Sequence, residues 1–261
     1  TRAVCDIWGN GNAGAVGYSG PPMRYLHQQA LFDMVSRHLT DMRAATDARD
    51  VARRFGEEAL AKVPPPRPLH VILSTPTGSG KTFTAVMMQL HLLRPRAGPD
   101  GEAPREAHPD IVLLYSVPTK QVLKRVGQEC EAHGVVYWTA AKDGEVFSVR
   151  RPYSIRTKRG GPGGTGTGAM AEQLEKCEAQ GREYFDLGGG RPAFIVADIF
   201  ATAAILKAGA AADEDAFYHS SKLLLYFDEP NMGIHLDAGL RAVVKDVCAH
   251  APATAADSAV R

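Results

Sequence analysis

The stretch Leu69-His70-Val71-Ile72-Leu73-Ser74-Thr75-Pro76-Thr77-Gly78-Ser79-Gly80-Lys81-Thr82 carries the reading on which the fold depends. Leu69 to Ser74 is apolar enough to form a short strand, and the next run, Phe83 to Leu93, reads as a helix. A glycine-rich turn in that context is a phosphate-binding loop, because the glycines let backbone N–H groups turn toward a polyphosphate at the helix N-terminus. Lys81 is expected to reach the β and γ phosphates and the Thr82 hydroxyl to hold Mg²⁺, while Thr77, Gly78, Ser79 and Gly80 form the cradle. The general pattern has Gly at position 75, where this chain has Thr. Gly80-Lys81-Thr82, which carry the phosphate and metal contacts, are intact. The competing interpretation is a glycine turn beside a surface lysine.

Such a loop needs a second group, since Mg²⁺ needs a carboxylate and hydrolysis needs a positioned water. Leu223-Leu224-Leu225-Tyr226-Phe227 is an apolar run that ends in Asp228-Glu229. It reads as a buried central strand that delivers an acidic pair to the carboxyl edge of a sheet. Asp228 is expected to hold the metal through water, and Glu229 to orient or deprotonate the attacking water. Lys81, Asp228 and Glu229 are therefore the candidate catalytic residues. Taken alone, an acidic pair after an apolar run is often a strand end meeting solvent.

At 261 residues and 44% hydrophobic, the chain can bury a full core as one large domain or two small ones, and one is expected. Thirty basic against 29 acidic residues leave a net charge of +1, so no global field draws it to nucleic acid or membrane, and any such binding must use a local patch. Cys5, Cys130, Cys177 and Cys248 are far apart and form no close ligand pair. They read as mostly free thiols of an intracellular, reducing compartment, with no structural zinc. No apolar run approaches the ~20 residues of a membrane span, and no secretory signal is visible.

Glycine-rich residues 1–22 suggest an extended N-terminal arm, either a disordered leader or a segment that docks on a partner. From Tyr25 to Leu60 the pattern is helical, with Leu26, Ala30, Phe32, Val35 and Leu39 near helical spacing, until Pro64-Pro65-Pro66 and Pro68 end it. Strands are expected at 69–74, 110–116, 134–139, 193–197 and 222–227, and helices at 81–93, 119–132, 199–208 and 238–248. This alternation specifies an α/β fold with a mostly parallel sheet and helices on both faces. Two stretches, 94–109 with its four prolines and 140–192 with its run Gly160 to Gly168, read as surface insertions in a domain spanning 23–261.

Two further segments carry chemistry. Val112 to Val117 reads as a strand that ends in Pro118-Thr119-Lys120 and runs into a helix with repeated basic residues. Loop N–H groups, Thr119 and Lys120 are suited to grip a sugar-phosphate backbone without regard to base identity. Arg150, Arg151, Arg156, Lys158 and Arg159 put five basic residues in ten positions with no acid among them, and Tyr153 offers a ring for base stacking. A solvated charged face or a contact to an assembly partner is the alternative for this cluster.

With these motifs assembled, the chain resembles the first ATPase core domain of superfamily 2 helicases, the DExD/H-box-like group, over roughly residues 23–248. The resemblance rests on Pro76 to Thr82 for motif I, on Val117-Pro118-Thr119-Lys120 with Gln128 for motif Ia, and on Asp228-Glu229-Pro230-Asn231 for motif II. It implies a RecA-like P-loop NTPase domain that binds ATP and Mg²⁺ and touches a nucleic acid backbone, with RNA mildly favoured over DNA. Met23 to Leu31 looks like the family's adenine-reading segment, which makes Gln28 the candidate adenine contact.

The chain departs from the family at three places. Motif II ends in Pro230-Asn231, which leaves the subfamily undefined. Asp198 stands where the family has a Thr-Pro backbone contact, and its acceptor oxygens would repel phosphate. The family's Ser-Ala-Thr segment is not convincingly present, and no second core domain follows within these residues. An arginine supplied in cis or in trans is worth ~10³ to 10⁵ in rate in related phosphoryl-transfer machines. The expectation is therefore slow hydrolysis by this segment alone and a requirement for a second ATPase core domain. The rival readings are an idle P-loop scaffold in a macromolecular assembly and an ABC-type ATPase. Leu187-Gly188-Gly189-Gly190-Arg191 faintly resembles the ABC signature but lacks its Ser, and that reading leaves Pro118-Thr119-Lys120 unexplained.

Overall fold

The computed structural model describes residues 23–64, 69, 71, 78–93, 111–143, 146–150, 168, 170–172, 174–176, 194–228 and 238–250. The expected arm at 1–22, most of the expected strand at 69–74 and the expected insertion at 94–109 lie outside the described residues. The chain divides into two compact units, Thr1–His108 with Ala253–Arg261, and Pro109–Pro252.

In the first unit, α1 spans Leu26–Arg54. His27, Gln28, Leu31, Phe32, Val35 and Leu39 are buried at helical spacing along its first half, whereas Ala52 is the only buried residue of its second half. Arg53 and Arg54 complement the negative end of the helix dipole. Gly56, at φ +99°, turns the chain into the short α2, Glu57–Ala61. Arg49 donates to the Val63 carbonyl at 2.9 Å and holds that turn against α1. The expected helix at 81–93 is present as α3, Lys81–Met88, continued by a single wider π turn, Gln89–Leu93. Thr84 to Gln89 are buried without interruption.

The second unit is a mixed α/β sheet. Its elements are β1 (Val112–Val117), α4 (Lys120–Ala132), β2 (Trp138–Asp143), β3 (Val146–Arg150), β4 (Phe194–Asp198), α5 (Ile199–Ala211), β5 (Leu223–Phe227) and α6 (Ala238–His250). The strand order is β3-β2-β4-β1-β5; β2, β4, β1 and β5 run parallel, and β3 alone is antiparallel, on β2. From β1 the chain passes over β4 to reach β2 through α4, and from β4 it passes over β1 to reach β5 through α5. Because parallel crossovers are right-handed, connections running in opposite lateral directions put α4 and α5 on opposite faces. Burial agrees, for Leu113, Leu114 and Tyr115, which alternate between faces, are all fully buried.

One face of the sheet, with Val112, Leu114, Ile195 and Ala197, packs against α5, whose Ile205 and Leu206 are fully buried. Met170 and Leu174 join this core. The stretch 140–192, expected as a surface insertion, thus contributes the end of β2, all of β3 and two core side chains. β2 also starts four residues later than the strand expected at 134–139. Gly134, at φ +67°, closes α4, and Val135 N–H still donates to the Cys130 carbonyl at 2.8 Å, so the chain belongs to the helix end until it enters the sheet.

Gly209 in α5 lies against the Tyr218 carbonyl, which a β-carbon would strike. Gly209→Ala gains helix propensity of about 1 kcal/mol but forces a backbone shift costing about 1–3 kcal/mol. Urea denaturation is expected to find the variant less stable than the parent, by about 1 kcal/mol.

Candidate functional site

The phosphate-loop residues within the described range are Gly78 to Thr82. Gly78 and Gly80 have φ of +82° and +75°, left-handed conformations that glycine adopts without strain. Gly80 is the N-cap of α3, and no side chain caps the helix there, so the α3 N-terminus opens directly on the loop. Lys81 and Thr82 are the first two residues of α3, and both are half-buried. Thr84 Oγ1 donates back to the Gly80 carbonyl at 3.0 Å. Thr77 lies outside the described residues.

The first turn of α1 braces this loop. Gln28, 2% exposed, has both ends of its amide engaged: Oε1 accepts from Tyr25 N–H at 3.0 Å, and Nε2 donates to the Gly80 carbonyl at 3.1 Å. A β-carbon on Gly80 would collide with that amide. Gln28, the residue expected to contact adenine, thus braces the loop from α1. His27 Nε2 lies 3.0 Å from the Ser79 carbonyl, and its Nδ1 is buried with no partner among the described residues. The motif pattern assigns His27 no role, although its place beside Gln28 in the same helical turn is a usable signal. Burial lowers the imidazole pKa; the Ser79 bond opposes this, and the nearby Lys81 charge adds to it.

In the second unit, the carboxyl edge of the sheet gathers Pro118, Thr119, Lys120, Asp198 and Asp228 from the ends of β1, β4 and β5. Thr119 is the N-cap of α4, its hydroxyl accepting from Val122 N–H at 3.3 Å; Pro118 is half-buried and Lys120 exposed. Asp198 is the N-cap of α5. Its Oδ1 accepts from Ala201 N–H and its Oδ2 from Lys142 N–H, both at 2.8 Å. Burial raises its carboxyl pKa, while these N–H groups, that of Phe200 and the Lys120 charge hold it down. The acceptor that looked hostile to phosphate is thus committed to backbone inside the fold.

Asp228 differs. It is 8% exposed, its N–H donates to the Ser116 carbonyl at 3.0 Å, and Oδ2 accepts from the Tyr115 hydroxyl at 3.0 Å. Oδ1 is buried and has no partner among the described residues. A buried carboxylate with one orphaned oxygen suits a cation, and Mg²⁺, which keeps much of its water, commonly uses one or two protein carboxylates. No cluster of three or more His, Cys, Asp or Glu residues fit to hold a metal occurs among the described residues. Glu229, Arg151, Tyr153, Arg156, Lys158 and Arg159 lie outside the described residues, and Arg150 closes β3.

Cys130 and Cys248 are free thiols. Burial first, then Glu129 and Glu131, push the Cys130 thiol up to about 12, which leaves it unreactive. Among the described residues no helix is long and apolar enough to cross a membrane. Compared with known proteins, the chain matches no family model, no curated protein and no solved structure.

His27 and His38 both have pKa values lowered chiefly by burial, so the folded state takes up protons less readily than the unfolded chain. Their contribution to stability is complete above the unfolded value of 6.5 and is lost as pH falls through it toward the folded values. The melting temperature should drop between about pH 7.5 and about pH 5.5, and His27→Gln should shrink that drop. Equal melting temperatures at the two pH values would count against the lowered imidazole pKa values.

Proposed function

We propose that this chain is an ATP-binding and ATP-hydrolysing core domain of a nucleic-acid helicase or remodelling protein, built on a RecA-like P-loop fold. The observation that carries this reading is the pair of left-handed glycines, Gly78 and Gly80, leading into an uncapped helix N-terminus whose first residues are Lys81 and Thr82. Backbone N–H groups of such a turn suit phosphate oxygens, and a lysine and a hydroxyl at the head of the helix suit the β and γ phosphates and Mg²⁺. His27 and Gln28 hold the carbonyls of Ser79 and Gly80 inward, which keeps the N–H side of the loop available. Asp228 serves the metal, and Glu229 orients the attacking water.

The nucleic acid backbone is assigned to Pro118-Thr119-Lys120, aided by the basic residues from Arg150 to Arg159. Lys120 is exposed at the sheet edge, where cations and a helix N-terminus favour phosphate. The Thr119 hydroxyl accepts from Val122 N–H in capping α4 and keeps its own O–H to donate, so contact there falls to Thr119, Lys120 and loop N–H groups. RNA is mildly favoured over DNA by the family resemblance. This segment alone hydrolyses ATP slowly, and strand separation requires a second ATPase core domain, in cis or in trans, because one rigid domain can hold a backbone but cannot change the spacing of two grips.

The decisive experiment is nucleotide titration. Lys81→Ala should weaken ATP–Mg²⁺ binding about tenfold or more, the worth of a charge-assisted phosphate contact. Glu229→Gln should bind ATP like the parent and lose hydrolysis. Parent-level ATP affinity in K81A would defeat the reading, and ATP binding without hydrolysis by the parent, even with nucleic acid present, would favour the scaffold alternative. Backbone binding is checked by salt: affinity for single-stranded RNA should fall with ionic strength, and neutralising Arg150, Arg151, Arg156, Lys158 and Arg159 should flatten that dependence.

A further inference from the structure

Tyr115 sits in β1 with no exposed surface, and a phenol so placed must find an acceptor. The sheet supplies one. Tyr115 is the register partner of Tyr226 across the parallel β1/β5 pair, and two-residue alternation puts Asp228 on the face of Tyr226. The hydroxyl therefore meets Asp228 Oδ2 at 3.0 Å. The Tyr115 and Tyr226 rings stack at 4.9 Å and 10°, and Asp228 N–H is tied to the Ser116 carbonyl, so neither partner can swing away cheaply. One carboxylate oxygen is occupied by this bond, while Oδ1 is buried and lacks a partner among the described residues.

We propose that Tyr115 is a positioning residue which restricts Asp228 to presenting a single oxygen, Oδ1, to Mg²⁺ or its water shell, and thereby sets a preference for Mg²⁺ over Ca²⁺. This rests on the ATP–Mg²⁺ reading above. A carboxylate whose second oxygen accepts from a buried phenol is a poor bidentate chelator. Mg²⁺ asks for single oxygens in strict octahedral geometry, whereas Ca²⁺ accepts bidentate carboxylates and higher coordination. Groups that hydrogen-bond to a metal ligand orient it, and their loss is felt at the metal.

The test uses the full chain and its Tyr115→Phe variant, titrated with a fluorescent ATP analogue in Mg²⁺, in Ca²⁺ and in chelator. The variant is expected to bind the analogue in chelator as the parent does, to lose about tenfold of the Mg²⁺-dependent tightening, and to shift its affinity ratio toward Ca²⁺. Parent-like Mg²⁺ tightening with an unchanged Ca²⁺ to Mg²⁺ ratio overturns the assignment of Tyr115 while leaving the ATP reading intact. A parent that binds no nucleotide in any of the three conditions overturns both. Should Y115F fail to fold, 3-fluorotyrosine placed at position 115 keeps the hydroxyl: its fluorine resonance should move when Mg²⁺ and ADP are added together but not with ADP in chelator. A resonance that ignores the metal overturns the proposal.

Discussion

The second unit depends on one buried carboxylate. A charge taken out of water is tolerated only when its oxygens are satisfied, and Asp198 meets that condition by accepting N–H groups from two elements at once, the first turn of α5 and the β2 residue Lys142. It therefore ends β4, starts α5 and holds β2 alongside. Thr202, one turn later, donates to the Asp198 carbonyl at 2.8 Å and is 2.9 Å from Ser116 Oγ in β1, which extends the stitch to a third strand. Each of these groups would be an unsatisfied polar atom if its neighbour moved, so the sheet edge is defined by hydrogen bonds as much as by the apolar faces beneath it.

The two aspartates at the carboxyl edge have opposite roles. Asp198 closes β4 with both oxygens spent on backbone, whereas Asp228 comes directly after β5 with one oxygen spent on Tyr115 and the other buried without a partner among the described residues. The same residue type at equivalent strand ends is structural in one place and chemically available in the other. The difference lies in the segment after each strand. After β4 the chain turns straight into α5, whose orphan N–H groups claim the carboxylate; after β5 no described helix begins before Ala238.

The first unit holds the carbonyls of Ser79 and Gly80 by a different device. Glycine supplies left-handed backbone at an entropic cost, and the loop would be loose if nothing held it. Gln28 and His27, from a helix more than fifty residues earlier, take the Gly80 and Ser79 carbonyls. Their burial under the loop also excludes a β-carbon at Gly80, so the glycine is required both by its φ angle and by the close approach of the Gln28 amide.

Local pattern was enough for much of this. Apolar runs bounded by turn residues marked β1, β4 and β5 to within a residue or two, helical spacing marked α1, and Gly80-Lys81 marked the start of α3, because each signal is contained in a few consecutive residues. The sequence alone also singled out Asp228 and Gln28 as polar residues of consequence. It did not reveal β3, whose place on β2 depends on pairing across strands, nor the late start of β2, which depends on how Gly134 closes α4. Only the tertiary structure decided what the polar side chains do. Gln28 braces the loop, Thr119 and Asp198 cap helices, and Tyr115, a residue of an apolar run, is the partner of Asp228. The physical reason is that a side chain's hydrogen-bonding capacity is written in its residue type, but the donor or acceptor that consumes it arrives from elsewhere in the chain, 113 positions away in the case of Tyr115 and Asp228.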